Sequence, residues 1–407
     1  MKNKKLNILI LPREPYPSNR PMLIEFWNKE MKKRGHKIIW LMQSEVPLDK
    51  MKIDYWNNSK ICLTPATTRN NMWEMIKNIL LGLIYKFVIA NKIMKKENID
   101  IVHAHDGAYE GVLMVYLTKR YKKNSSFGYT GPFAEESSQH ICRGTGFLIK
   151  LIRQRFRKLG YNFTFRNANI VFPISKYLCQ RLIKEKNILS DKVFPLPECA
   201  SEYFLKYKTN KNSDSKKIIY HGGLAKSRKM DFLLRVFKIV LNSHPDAKLT
   251  LIGWAEKPTD ITDLIEYSKK LGIKKSVEFL GKIPYNEIPK YASDANIGIS
   301  PIVPIHLLLV STPTKCIEYL SLGIPVVANK EIYDQKELLT KSGGGFAVKY
   351  DENEFADSII WLLKHPEEAK EMGKKGRKWI KKNRTYELLA EKLEKRYYEL
   401  IEKQKKR

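Results

Sequence analysis

The stretch Ser311–Leu339, STPTKCIEYLSLGIPVVANKEIYDQKELL, sets the terms for reading this chain. It reads as a short helix, a tight turn, a buried strand and the start of a second helix. Thr312 is placed as an N-cap, with Pro313 at the first helical position, where its missing N–H would be an orphan anyway. Three residues past that cap, where a carboxylate would suit the helix dipole, stands Lys315. The conflict is relieved if an anion, such as a phosphate, sits between the lysine and the exposed N–H groups of the first turn. Glu318 shares the helix face of Lys315 at i,i+3 spacing. A phosphate site with a hydroxyl-binding carboxylate one turn on points to a nucleotide diphosphate and its ribose. The plainer account is a surface ion pair between Lys315 and Glu318, worth about a few tenths of a kcal/mol.

Outward from this stretch, apolar runs alternate with amphipathic segments along most of the 407 residues. Strand Leu6–Leu11, helix Pro21–Arg34 and strand Lys37–Met42 make a βαβ opening, which implies a parallel sheet with helices on its faces. Helix Trp73–Lys96, strand Ile101–Ala104, helix Glu110–Tyr121 and strands Ser126–Tyr129 and Ile170–Pro173 continue it. Ser175 caps a helix over Lys176–Lys186, and Lys192–Leu196 reads as a further strand.

The polar stretch Thr209–Lys217 has linker composition. A domain boundary is placed there, giving an N-terminal domain over 1–208 and a C-terminal domain over 209–383. A helix from about 384 to 407 is expected to return to the first domain. The second run alternates strands Lys217–His221, Lys248–Ile252, Ser276–Leu280, Ile297–Pro301 and Pro325–Ala328 with helices, and three helices follow Asn353. The fold class is therefore α/β: two doubly wound, Rossmann-like domains, with ligands expected at the carboxyl ends of strands and in a cleft between the domains.

Composition narrows the partners. The chain carries 74 Lys and Arg against 43 Asp and Glu, a net charge of +31, which attracts nucleic acid, anionic membrane or phosphorylated substrates alike. No helix-turn-helix, aromatic RNP-like sheet or zinc finger accompanies that charge, so no nucleic-acid partner is expected, and a basic nucleic-acid-binding protein is the alternative of another class. Cys62, Cys142, Cys179, Cys199 and Cys316 are scattered and odd in number, which suits reduced thiols in a cytoplasmic protein. Leu6–Leu11 is too short for the apolar part of a secretory leader, and Ile79–Ile89, interrupted by Lys86, is too short to span a bilayer. Phe147–Arg166, FLIKLIRQRFRKLGYNFTFR, is basic and amphipathic. It is expected either to dock on the anionic inner face of a membrane or to face a core with a basic outer side.

The segments RGHKIIWLM, IVHAHD, VFPISKYLCQRL, YHGGLAKSRKMDFLL, VEFLGKIPYNEIPKYASDANIGISP and STPTKCIEYLSLGIPVVAN occur in this order. Together they resemble glycosyltransferase family 4, retaining nucleotide-sugar-dependent enzymes of the GT-B fold. The resemblance is strongest over Lys217–Tyr350. It implies a nucleotide-sugar donor, UDP- or GDP-linked, in the C-terminal domain, and a glycan or lipid-linked acceptor. Attack on the same face would retain the anomeric configuration, and a nucleotide-sugar epimerase or an inactive relative is the alternative on the same fold.

The resemblance also assigns residues. Gly222 and Gly223 form a loop whose backbone approaches the diphosphate. Gly223 stands where the family has an Arg, and Arg228 matches the family's Lys, with Lys229 in reserve. Glu318 matches a ribose-binding Glu. The donor-sugar Glu eight positions earlier is replaced by Val310. Ser311, Thr312 and Thr314 at the helix start, and Gly281 and Lys282 in the base-receiving turn Gly281–Pro284, complete the donor set. Gly343–Gly345 reads as a structural turn. In the N-terminal domain Asp106 is expected to orient the acceptor hydroxyl or the sugar, and Tyr129 occupies the position of a catalytic His. Asn19 and Arg20 replace the glycine pair of the first loop, while His103 and His140 read as plain surface or core histidines. No D-x-D motif and no metal-spaced cluster appears, so no cofactor or metal is expected. Arg228, Lys315 and helix N-termini would neutralise the leaving diphosphate.

Overall fold

The computed structural model describes residues 5–18, 20–67, 72–131, 147–207, 215–255 and 257–406. Asn19, His140, Cys142 and most of the Thr209–Lys217 stretch lie outside the described residues. The chain divides into two compact units, Met1–Pro197 with Leu389–Arg407, and Glu198–Leu388.

The first unit is built on seven strands: β1 (Asn7–Pro12), β2 (Lys37–Gln43), β3 (Lys52–Trp56), β4 (Ser59–Thr64), β5 (Ile101–His105), β6 (Asn124–Tyr129) and β7 (Ile170–Pro173). Their order is β3-β4-β2-β1-β5-β6-β7, and every pairing except β3 with β4 is parallel. Strands covered by helices on both faces need side chains that tolerate burial throughout, which is why β1 and β5 read as near-continuous apolar runs. The antiparallel β3–β4 hairpin was not anticipated. It turns through Asn57 and Asn58, both at positive φ (47° and 58°), conformations that asparagine tolerates better than most residues. Helices α1 (Met22–Glu30, continued by Met31–Lys33), α2 (Met72–Lys96), α3 (Ala108–Tyr121), α4 (Phe147–Asn167) and α5 (Lys176–Lys186) flank this sheet. Ser175 caps α5 by accepting a hydrogen bond from the Leu178 amide at 3.0 Å. The strand expected over Lys192–Leu196 is absent. Ser190–Lys192 is a single 3₁₀ turn, and Val193 makes one isolated bridge to Val171.

The second unit begins with α6 (Glu202–Leu205) and then carries β8 (Lys217–His221), α7 (Asp231–Ser243), β9 (Lys248–Ile252), α8 (Pro258–Lys270), β10 (Val277–Gly281), α9 (Ile288–Ala292) and β11 (Ile297–Ser300). It continues through α10 (Thr314–Ser321), β12 (Val326–Asn329), α11 (Tyr333–Ser342), β13 (Gly345–Val348), α12 (Glu352–Lys364) and α13 (Pro366–Asn383). The strand order is β10-β9-β8-β11-β12-β13, parallel throughout. From β8 the chain winds outward through β9 and β10, then returns to lay β11, β12 and β13 on the other side. The reversal opens a crevice at the carboxyl ends of β8 and β11, the place where doubly wound sheets take ligands. The division falls ahead of the polar linker because Phe204 is fully buried in this unit's core and the Ala200 amide bonds the Arg384 carbonyl at 2.9 Å.

The last helix, α14 (Tyr386–Lys405), returns to the first unit from Leu389 onward. Ala390, Leu393 and Tyr397 are fully buried, and the Tyr397 hydroxyl is 2.8 Å from Ser126 Oγ on β6. Glu394 receives Arg34 Nη2 at 2.6 Å and faces His36 Nε2 at 2.7 Å. Burial pushes the Glu394 carboxyl up, but these partners outweigh it and hold it below the ordinary range.

Candidate functional site

The crevice of the second unit is built on the turn that follows β8. Gly222 has a φ of 144°, a conformation that side-chain-bearing residues rarely adopt. Its amide donates to the Ile252 carbonyl at 2.8 Å, and the Leu224 amide donates to the Trp254 carbonyl at 2.9 Å, which pins the turn to the end of β9. Gly253 must itself be glycine, because a Cβ there would stand 1.8 Å from the Gly222 carbonyl oxygen.

Lys315 lies directly against this turn. A Cβ on Gly222 would meet Lys315 Cε at 2.6 Å and Nζ at 3.0 Å. The ammonium also sits 5.3 Å from the centre of the Tyr220 ring, whose hydroxyl donates to the Gly223 carbonyl at 3.1 Å. Arg228 folds back over the second glycine, its Nε 3.6 Å from where a Gly223 Cβ would stand. Neither Arg228 nor Lys315 has a carboxylate within ion-pair distance among the described residues. Two unneutralised cations over a glycine turn present positive charge and open backbone on one side, as an anion requires.

One local reading is corrected. Thr312 is not the cap of α10. The helix starts at Thr314 after Pro313, and no side chain caps it. Thr312 is buried beside Asp334 of α11, and the first N–H groups of α10 have no side-chain cap. Lys226–Arg228 is a 3₁₀ turn, Lys229 is left-handed at φ 49°, and α7 starts only at Asp231.

Glu318, one turn into α10, is 3 % exposed and does not pair with Lys315. Its Oε2 is 2.6 Å from His221 Nε2, and its Oε1 accepts a hydrogen bond from the Tyr285 hydroxyl at 2.8 Å. Burial pushes the Glu318 carboxyl up, and the histidine, Tyr285 and the Lys315 charge together more than offset it, so the group stays below the ordinary range and ionised. His221 is fixed in turn by Tyr319, whose hydroxyl is 2.9 Å from both its backbone amide and its Nδ1. Sequence reasoning missed His221 and Tyr285. The only signal for His221 was its place immediately before the glycine pair.

The other donor-side residues are spread around this centre. Ser311 turns its hydroxyl inward to the Leu308 carbonyl at 2.7 Å, while Thr314 opens α10 and is half-buried. Gly281, at φ 70°, accepts the Gly253 amide at 2.8 Å, and the exposed Lys282 stands 5.7 Å from the Trp254 ring. Gly345, at φ 151°, lies so close to β12 that a Cβ would reach 1.9 Å from the Val326 carbonyl oxygen, in keeping with a structural turn.

In the first unit the expected site residues serve the scaffold. Asp106, at φ 58° and 6 % exposed, accepts the Thr130 amide at 2.7 Å, the Thr130 hydroxyl, and Arg20 Nη1 at 2.7 Å. Arg20 also pairs with Glu14 at 2.8 Å, so Arg20 anchors a carboxylate here. Tyr129 is 1 % exposed, with its ring edge-on to Phe165 at 5.0 Å and to Tyr161 at 5.4 Å. Tyr129, expected at the position of a catalytic His, thus sits in an aromatic cluster of the first unit's core. His103 is a core histidine, bonded through Nδ1 to Ser126 Oγ at 2.9 Å. Among the described residues, no three His, Cys, Asp or Glu side chains gather where they would hold a metal ion.

Comparison with known proteins follows this geometry. Residues 203–379, which hold every element of the crevice, match the model of the glycosyl transferases group 1. An uncharacterised glycosyltransferase of Haemophilus influenzae is 26% identical over 236 residues, covering 53% of this chain and 62% of that protein, so the match spans under two thirds of the relative. Sucrose-phosphate synthase from Thermosynechococcus elongatus superposes with a TM-score of 0.75 at 16% identity, over 98% of this chain and 99% of the other. Anabaena Alr3699/HepE, crystallised with UDP and glucose, superposes with a TM-score of 0.69 at 14% identity, over 95% of this chain and 98% of the other. The match to the group 1 glycosyl transferases thus falls within the second unit, and the two parallel-sheet units have the GT-B fold.

Proposed function

We propose that the protein transfers a glycosyl group from a UDP- or GDP-sugar to a glycan or lipid-linked acceptor, with retention and without a metal. The observation that supports this reading most is the pair of free cations over the Gly222–Gly223 turn. Lys315 and Arg228 stand where a diphosphate would bring two negative charges against open backbone. As the bond to the donor sugar breaks, charge gathers on the departing diphosphate, and fixed cations beside the uncapped start of α10 stabilise it. Glu318 would then take the ribose hydroxyls, which replace the Tyr285 hydroxyl on Oε1 while His221 holds Oε2. Val310, apolar and buried, gives the donor sugar no carboxylate at that position, so sugar selection falls to other groups.

The test is calorimetric binding of UDP, GDP and ADP and their sugars to the purified chain, followed by turnover with lipid and glycan extracts and NMR of the product anomer. Binding of one nucleotide that weakens in Lys315→Ala and Arg228→Ala, and a product of retained configuration, support the reading. An inverted product removes retention, and no binding of any nucleotide removes the donor site.

A further inference from the structure

Helix α2 is apolar outward as well as inward, where Ile89, Ala90, Ile93 and Met94 are buried. Its polar residues Asn78 and Lys86 are buried: Asn78 Oδ1 accepts from Gln43 Nε2 at 2.8 Å, and Lys86 pairs with Glu110 of α3 at 2.5 Å. The outward stripe carries Trp73, Leu80, Ile84 and Val88, at the spacing of successive helical turns. Trp73 is 76 % and Ile84 60 % exposed. A soluble surface helix normally turns polar residues outward, since exposed apolar area costs free energy in water.

The stripe does not stand alone. Phe87 of α2 contacts Tyr116 of α3 with ring centres 5.2 Å apart, and Lys119 of α3 reaches the ring of Phe163 of α4 at 5.9 Å. On α4 a second stripe runs Ile152, Phe156, Leu159 and Phe163, with Phe156 69 % and Leu159 63 % exposed. The outward sides of α2, α3 and α4 thus join into one apolar face. The three helices hold 13 Lys and Arg but only two acids, Glu74 and the buried Glu110. None of the helices is long and apolar enough to cross a membrane among the described residues.

We propose that the α2–α3–α4 face seats on an anionic lipid surface, with the α2 stripe entering the headgroup region and the cations of α3 and α4 meeting lipid phosphates. Charge complementarity selects this occupant. A second copy would set this strongly cationic face against itself, and a nucleic acid would satisfy the cations yet leave two apolar stripes wet. An anionic membrane covers the apolar area and neutralises the charge together. The surface goes beyond the proposed reaction, since it lies wholly in the first unit, whereas the candidate donor site lies wholly in the second.

Flotation of the full chain with vesicles of equimolar phosphatidylglycerol and phosphatidylcholine, and with phosphatidylcholine alone, tests this. Two variants are compared with the wild type: Leu80→Glu with Ile84→Glu, and Arg153→Gln with Arg155→Gln and Lys158→Gln. Thermal unfolding and nucleotide binding are measured alongside. The wild type is expected to bind the anionic vesicles, weakly the neutral ones, with affinity falling as salt is raised. Each variant should lose about tenfold or more in partitioning while unfolding at the wild-type temperature. Anionic binding unchanged in the Leu80/Ile84 variant overturns the proposal. So does a wild-type dimer that this variant dissolves without any vesicle binding, or RNA binding that outcompetes vesicles. Loss of nucleotide binding with vesicle binding intact counts against the reaction and leaves this surface standing.

Discussion

His221 Nε2 stands 2.6 Å from Glu318 Oε2, joining the residue just before the glycine turn to the middle of α10 across 97 positions of sequence. Both are buried. Removing the histidine strands a carboxylate in the interior, which is costlier than never having placed a pair there. His221→Ala is expected to lower the unfolding free energy by about 3 kcal/mol, read by urea titration. His221→Asn, which can still donate to the carboxylate, should recover part of the loss. Wild-type stability in His221→Ala would mean Glu318 finds another partner.

Lys315→Ala and Arg228→Ala should each cut glycosyl transfer by about 10²-fold, the usual loss when one charge-stabilising contact is removed. Arg228 is exposed and holds no ion pair among the described residues, so its variant should unfold at the wild-type temperature. Near-normal turnover in both would show that neither cation meets the leaving group.

Gly253→Ala tests the turn without touching a charged group. A Cβ there collides with the backbone carbonyl of Gly222, so the turn must shift. Nucleotide affinity should fall about tenfold or more, and stability by about 2 kcal/mol, because backbone cannot step aside as a flexible side chain does. Intact affinity would separate the turn from the ligand.

Glu97 gives a pH-dependent prediction. Hydrogen bonds from Lys37 and Lys60 lower its carboxyl to about 2, from strands β2 and β4. Because the folded state binds this proton less readily than the unfolded chain, the pair stabilises above about pH 4.5. The contribution drains away as pH falls toward 2. Solvent reaches Lys37, so Glu97→Gln should cost about 1 kcal/mol at neutral pH and almost nothing near pH 2. A constant difference across that range would exclude the linkage.

Tyr397→Ala should destabilise the first unit by about 3–5 kcal/mol through the cavity it leaves. Near-ultraviolet circular dichroism and urea titration would report it. Tyr397→Phe keeps the ring and should cost about 1 kcal/mol for the lost hydrogen bond to Ser126.

The parallel strands were legible because full burial writes itself as unbroken apolar runs: Lys217–His221, Lys248–Ile252 and Ile170–Pro173 are strands with the bounds the sequence suggests. The β3–β4 hairpin was hidden, since Lys52–Trp56 is short, broken by Asp54 and largely exposed, and only the two asparagines signal the turn. In the crevice, Lys315 was readable from local helix chemistry and the glycine pair from the resemblance. His221, Tyr285 and the placing of Thr312 beside Asp334 were not, because each depends on a partner brought close only by the sheet. The packing of Tyr129 and the partners of Asp106 were hidden for a related reason. Position after a strand says where a residue stands, while its packing partners decide whether it faces a ligand or the core.

The homecoming of α14 has a consequence for biosynthesis. The ribosome delivers all of Glu198–Leu388 before the residues that fill the last gap in the first unit. Until Leu393, Glu394 and Tyr397 emerge, His36 and Ser126 lack their α14 partners, so the first unit is begun before the second and completed after it. A stop codon ahead of Leu389 would therefore do its harm in the unit of Met1–Pro197.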